Sequence, residues 1–305
     1  MLENLSTPVL FIVFNRLDTT CKVFEAIRQA RPTRLYIAAD GPRENKPDED
    51  LKIQAVRAYV MNHIDWKCEV KTLFREKNLG CKIAVSSAID WFFENEEEGI
   101  IIEDDCLPDA SFFPFCVQLL ERYRHDDHIW MISGDNLYQG HKRSSNSYYF
   151  SQHCYIWGWA TWARAWRHYD PNMRSWPQLR ANGFLKTINP PERYYWQWSF
   201  DHVFSGRIDT WDYQWVFACR VNKGLAVIPA VNLVSNIGFG QDSTHTQQID
   251  HRIADLKTHS LDFPLVHPES VVINAEDEEL LMDGSYKMSA LKYRWRMFKE
   301  MVGLK

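Results

Sequence analysis

The chain predicts an α/β fold built on a largely parallel sheet, and three observations carry that expectation. Short apolar runs alternate with amphipathic stretches from the first residues onward, which is the pattern of βα units. Polar and charged residues fall at the carboxyl ends of those runs, where open α/β sheets bind their ligands. A length of 305 residues with 45% hydrophobic content suffices for a large buried core.

PVLFIVFNR reads as the first strand, ending at Asn15 and Arg16, with Asp18 or Thr19 placed to cap the helix TTCKVFEAIRQA. LYIAADGPR is a second strand, stopped by Asp40, Gly41 and Pro42. A polar, helix-prone stretch around residues 48 to 62 precedes the strand CEVKTLFRE, the Asn78-Leu79-Gly80 turn and the long helix CKIAVSSAIDWFFEN. GIIIEDD is the next strand. The second half is less regular. HIWMISGDN is a strand and loop, YIWGWATWARAWRHY opens as a loop or short strand and turns helical, and WDYQWVFACRVNKG is a helix closed by Gly224. AVIPAVNLVSNIG is a late strand leading into FGQDSTHT. Beyond about residue 250 the chain is more charged, so we divide it into a main unit, 1–250, and a C-terminal extension, 251–305.

A net charge of -5 and a pI near 6.1 lack the basic excess that nucleic-acid binding requires, and favour small molecules or carbohydrates as partners. Seven cysteines, odd in number and without a Cys-x-x-Cys pair, indicate neither a disulfide framework nor a zinc site. The opening MLENLSTPVLFIVFNR has an acidic rather than basic leader, and its apolar run is too short to span a bilayer. The expected location is the cytoplasm. In KMSALKYRWRMFKEMVGLK, Leu291, Trp295, Phe298 and Val302 share one helical face, and Lys292, Arg294, Arg296 and Lys299 add positive charge. That helix either packs on the domain or lies on the inner membrane surface.

The sharpest chemical signal is Glu103, Asp104 and Asp105, three carboxylates directly after an apolar strand. They repel one another, and Asp is disfavoured in strands, so local stability does not explain them. A hard divalent cation such as Mn or Mg takes carboxylate oxygens and leaves positions open for phosphate, which suits this placement. A solvated turn is the plain alternative, and a two-metal hydrolase site is a third reading, with His153, Asp135, Asp242 or His245 as further ligands. Asp40 is equally suited to a nucleoside contact or to the Asp-Gly-Pro turn itself. Arg16 is a phosphate contact or a solvated loop cation. Nine of the 13 tryptophans lie between Trp157 and Trp215. Most are expected in the core, but in Trp157-Gly158-Trp159 the glycine leaves room for a sugar between two rings. Asp212, between Trp211 and Trp215, suits a general base, with helix-dipole complementarity as the alternative.

Taken in order, NR, ADG, EDDCLPDASFF, YIWGWATWARAW, WD and the late FG…H loop resemble the inverting N-acetylglucosaminyltransferase I family over roughly residues 8 to 246, most closely its bacterial members. The resemblance implies the GT-A fold and a nucleotide-sugar glycosyltransferase. It implies Asp105 at the metal, Asp104 near the ribose and Glu103 near the donor sugar. It also implies Arg16 and Asp40 at the nucleotide, with Trp157, Gly158, Trp159 and His245 at the donor, and Asp212 as base. Ser86 stands where the animal enzymes carry a uracil-contacting His, and Trp-Asp-Tyr-Gln-Trp replaces the family's Trp-Asp-Asp-Trp. The implied partners are a nucleoside diphosphate sugar, UDP-linked by preference, and a glycan or lipid-linked glycan acceptor. A metal-dependent phosphohydrolase and a non-catalytic carbohydrate-binding protein are the rival classes.

Overall fold

The computed structural model describes residues 4–137, 145–239, 256–273, 278 and 288–301. Eight strands form one sheet in the order β3-β2-β1-β4-β8-β6-β9-β7. They are β1 (Val9–Val13), β2 (Arg34–Ala39), β3 (Glu69–Phe74), β4 (Glu98–Glu103), β6 (Ile129–Ser133), β7 (Tyr148–Ser151), β8 (Trp159–Trp162) and β9 (Leu225–Pro229). β3, β2, β1 and β4 pair in parallel. β8 runs antiparallel between β4 and β6, β9 is parallel to β6, and β7 closes the edge antiparallel. The α/β class and the mainly parallel sheet are therefore as expected.

Both faces of the sheet are covered, which is why its strands read as nearly continuous apolar runs. Val9, Phe11 and Val13 face one core with helices α1 (Leu17–Ala30), α2 (Glu49–Asn62) and α4 (Phe112–Tyr123). Leu10, Tyr36 and Ile101 face the other, against α3 (Gly80–Phe93), the short α5 (Ala163–Trp166) and α6 (Trp176–Ala181), α7 (Pro190–Phe204) and α8 (Asp212–Asn222). The second core holds most of the tryptophan cluster. Trp159 stacks on Trp211 with centroids 5.8 Å apart, and Trp166 lies 5.3 Å from Trp215.

Three details depart from the sequence reading. α1 begins at Leu17 with Arg16 at its N-cap, so neither Asp18 nor Thr19 caps it; the Thr20 hydroxyl and amide both donate to the Arg16 carbonyl, at 2.6 and 3.0 Å. α8 ends at Asn222 with Lys223, not Gly224, in the left-handed conformation. The late strand is two strands. β9 stops at Pro229, and the chain then leaves the sheet as β10 (Val234–Asn236), antiparallel to the short β5 (Cys106–Pro108) that follows the acidic triplet.

The described part of the C-terminal extension packs on this body. The Ser147 amide donates to the Val266 carbonyl at 2.8 Å, and the Val266 amide to the Ser147 hydroxyl at 2.9 Å. The last helix, α9 (Ala290–Met301), stacks Tyr293 on Tyr194 at 5.0 Å and lays Arg296 over Trp198 at 4.3 Å. Its opposite side leaves Leu291 80% and Trp295 58% exposed.

Candidate active site

Strand register brings the polar residues together. Val13 pairs with Ala39, Ala39 with Phe74, and Ile12 with Glu103, so β1 to β4 end level with one another. Arg16, Asp40, Arg75 and the triplet leave the sheet along this edge, and all line one cavity of about 710 Å³. Arg57 of α2 ties the edge from behind, donating to the carbonyls of Asp40 at 3.1 Å and Arg75 at 2.7 Å.

The cation that the triplet demands is Arg16. One guanidinium nitrogen bonds Asp104, and the other lies 3.0 Å from Asp105 Oδ2. Asp104 also accepts the Phe14 amide at 3.1 Å, which pins the start of the β1 loop to the end of β4. Burial opposes the Arg16 charge, but Asp104 and Asp105 outweigh it and hold the guanidinium above its ordinary range. Burial pushes Asp104 up to about 6, with the Arg16 charge offsetting part of the rise and Asp105 adding to it. Glu103 is pushed up to about 8, by burial first and then by Asp105 and Asp104, and no described residue donates a hydrogen bond to it. β10 closes over the pair: the Ile237 amide donates to the Asp105 carbonyl at 2.8 Å. A Cβ on Gly238 would lie 2.2 Å from Asp105 Oδ2 and 2.7 Å from the Arg16 guanidinium, so only glycine fits against them.

Asp40 lines the cavity, but its oxygens are turned to the backbone. They accept the amides of Gly41 and Leu79 at 3.0 Å and of Gly80 at 3.2 Å, at the start of α3. Burial raises its pKa, and the Leu79 and Gly41 amides offset that in part. A carboxylate at a helix N-terminus is the favourable sign for the helix dipole. Asp40 thus shapes the rim, and beside it Arg75, which donates to the Ser87 hydroxyl at 2.8 Å, and Asn78, which donates to the Gly41 carbonyl at 2.9 Å, also line the cavity; the sequence reading missed both. The signal for both was present, since they follow the β3 strand end just as Arg16 follows β1.

The opposite wall comes from the second half of the chain. Asp212 opens α8, and its Oδ1 accepts the Thr210 hydroxyl and, at 2.9 Å, the Tyr213 amide. Asp209, Tyr195, Trp196, Trp211 and Tyr213 line the same wall. Asp209 Oδ2 lies 3.3 Å from where a Gly80 Cβ would be, against the start of α3.

Trp157-Gly158-Trp159 does not form the two-ring platform expected of it. Gly158 has φ +65, which breaks the strand alternation and sends the flanking rings apart. Trp157 lines the cavity, edge-on to Phe239 at 5.7 Å. Trp159 is 1% exposed in the tryptophan core and is not a donor contact. Gly158 serves packing, its carbonyl accepting the Gly134 amide at 2.7 Å, and a Cβ there would lie 2.9 Å from Val234. Ser86 is buried and bonds the Lys82 carbonyl of its own helix. Of the further ligand candidates, His153 is buried 3.5 Å from Glu278, away from the cavity lining, whereas Asp135 lines the cavity. Asp242 and His245 lie outside the described residues.

The donor set suits a hard cation. Asp105 Oδ1 meets only the weak Cys106 thiol at 3.5 Å, and Glu103 has no described donor. Among the described residues no cluster of three or more His, Cys, Asp or Glu is gathered tightly enough to hold a metal alone. A cation here would complete its shell with ligand phosphate oxygens.

No family model and no curated protein matches the chain. Solved structures similar to it include the galactosyltransferase LgtC in complex with donor and acceptor sugar analogs, at 12% identity and TM-score 0.40, covering 95% of this chain and 99% of that one. HddC from Yersinia pseudotuberculosis aligns at 9% identity and TM-score 0.32, covering 52% of this chain and 77% of its own. At such scores function has to be reasoned from the cavity itself.

Arg16→Ala leaves two carboxylates facing each other at the seam of β1 and β4. The variant is expected to lose about 1–3 kcal/mol of stability at pH 8. Because Asp104 has a raised pKa in the folded chain, its unfavourable charge appears as pH rises through about 6. Arg16 holds that value down, so in the variant Asp104 titrates higher, and the deficit should narrow as pH falls toward about 6 and stay level below it. Urea denaturation of both proteins between pH 8 and pH 5 reads it, and a constant gap would refute the bridging role.

Proposed function

We propose that the protein is an inverting glycosyltransferase of GT-A type that moves a sugar from a nucleoside diphosphate sugar, UDP-linked by preference, to a glycan or lipid-linked glycan acceptor. The observation that carries this reading is that Arg16, Arg75 and the Glu103–Asp105 edge face Asp212 across one aromatic-lined cavity. Cations and metal-suited carboxylates fit a diphosphate, while Trp157, Tyr195 and Tyr213 offer the flat surfaces that sugars stack on. A phosphohydrolase needs no such wall, and a passive sugar binder needs no such edge.

In this reading the nucleotide lies at the ends of β1 to β3 and the diphosphate beside Arg16. Asp105, with Glu103 near it, would hold Mn or Mg, which when bound neutralises charge on the leaving diphosphate. Asp212 accepts the proton of the acceptor hydroxyl as its oxygen attacks the anomeric carbon from the face opposite the leaving group. The anomeric C–O bond breaks, the electron pair leaves with the diphosphate, and the configuration inverts. The Thr210 hydroxyl and the Tyr213 amide fix the orientation of the carboxylate through Oδ1.

Donor binding should need the metal. In a thermal-shift panel of nucleoside diphosphate sugars, the right donor at 100 times its dissociation constant should stabilise the protein by about 2.7 kcal/mol in the presence of Mn. Asp105→Ala should bind the same donor without any Mn dependence. Undiminished Mn-dependent binding in that variant, measured by calorimetry, would remove Asp105 from the metal.

Asp212→Asn should lower transfer by about 10²- to 10⁴-fold with donor affinity nearly intact, because the amide keeps the shape but cannot take the proton. A purely structural Asp212 predicts the reverse, a stability loss of about 0.5–2 kcal/mol with turnover kept.

Among the described residues no helix is long and apolar enough to cross a membrane. The face of α9 that carries Leu291 and Trp295, beside Lys292 and Arg294, is the surface we assign to contact with anionic lipid near a lipid-linked acceptor. In flotation with anionic liposomes, the full chain should float and Leu291→Ser/Trp295→Ser should stay in the soluble fraction. Equal recovery would end the assignment.

A further inference from the structure

Asp135 follows the end of β6 and is 1% exposed on the wall of the cavity, with its Oδ1 buried and without a hydrogen-bond partner. An unsatisfied buried carboxyl oxygen is destabilising, and native chains seldom keep one unless a ligand completes it. Burial also holds its pKa well above the usual carboxylate range, opposed only by its own amide and that of Trp157.

The backbone gives this side chain little freedom to turn elsewhere. The Gly134 amide donates to the Gly158 carbonyl at 2.7 Å, and a Cβ on Gly134 would lie 2.5 Å from that oxygen and from Val234. On the other side, the Asn136 amide donates to Asn232 Oδ1 at 3.0 Å, and its side-chain amide to the Pro229 carbonyl at 2.7 Å. A residue held from both sides with one carboxyl oxygen buried and unpaired is a positioned group.

Strand order says what it is positioned for. Along the edge run β3, β2, β1, β4, β8 and β6, so the cavity's cations, Arg75, Arg43 and Arg16, come from one end. From the other comes Asp135, on which no charged group acts, whereas Asp209 and the first turn of α8 with Asp212 lie by the start of α3. Resting on the glycosyltransferase reading above, we propose that Asp135 is a specificity-determining residue that hydrogen-bonds a hydroxyl of the transferred sugar. It thereby selects a neutral hexose or N-acetylhexosamine donor against a hexuronate. A sugar hydroxyl both donates and accepts, so it satisfies this carboxyl in either protonation state, whereas a uronate carboxylate would meet a buried acid on which no cation acts.

The test is calorimetry with Mn on the full chain and on Asp135→Ala and Asp135→Asn. The probes are UDP, GDP, UDP-galactose, UDP-N-acetylglucosamine, GDP-mannose and UDP-glucuronate. Asp135→Ala should weaken the best neutral donor at least 10-fold and leave its free nucleoside diphosphate within 2-fold. Asp135→Asn should lose less, because it keeps a hydrogen bond, and it serves as the folded control if the alanine variant is unstable. The margin by which the wild type prefers the neutral sugar to UDP-glucuronate should shrink in both. A folded variant that binds the donor like wild type, or that loses nucleotide and donor equally, overturns the role of Asp135 alone. A wild-type chain that binds none of the six overturns the transferase reading and this inference with it.

Discussion

Arg16 reaches across the seam between β1 and β4 and holds two neighbouring carboxylates with one guanidinium. Two like charges about 4 Å apart repel by about 4 kcal/mol at an effective dielectric of 20. Without an internal cation the Asp104-Asp105 pair would push the strand end apart. The bridge has consequences outward. Beside it, the Thr20 hydroxyl donates to the Arg16 carbonyl in the first turn of α1. The chain that follows β10 passes over the bridge so closely that position 238 is glycine.

The same economy governs the tryptophans. A fold with both sheet faces covered needs large apolar groups on each side, and the region from Trp157 to Trp215 supplies them in excess of what a ligand wall requires. The residue that sorts them is Gly158. Its positive φ reverses the chain between two rings that strand alternation would have placed together, giving one to the cavity and one to the core. Ligand wall and core are thus built from one run of sequence, separated by a single backbone turn.

The strands and the polar edge were legible because they depend on local signals: apolar runs of strand length, stopped by charge or by Gly and Pro. The triplet could be picked out for the same reason, as carboxylates where local stability disfavours them, whereas Asp212 stands at a helix start that favours an acid and drew notice by the tryptophans around it. What escaped depended on partners far away in the chain. Asp40 finds its acceptor role with Leu79, 39 residues on, and nothing around Asp-Gly-Pro encodes it. The split of the late strand follows from β5, only three residues long, whose sole reason to pair is the proximity of β10. Asp135 was visible only as a possible ligand, since burial and the lack of a partner are properties of the assembled cavity.

Strand order also explains how one cavity holds both signs of charge. Arg16 is neutralised where it stands by Asp104 and Asp105, and Arg43 by Glu49, so the cationic end carries little unspent charge before a diphosphate arrives. At the far end, Asp135 meets no cation at all, while Asp212 is fixed by a hydroxyl and an amide. In the reading proposed above, a diphosphate would compete with these carboxylates for the guanidinium groups at one end, and a neutral hydroxyl would satisfy the unpaired Asp135 oxygen at the other. Such a gradient orients a molecule that is charged at one terminus and polar but neutral at the other before any specific contact is made. A nucleoside diphosphate sugar is built that way, which is why the reading proposed above puts its anomeric carbon in the span bounded by Glu103 and Asp212.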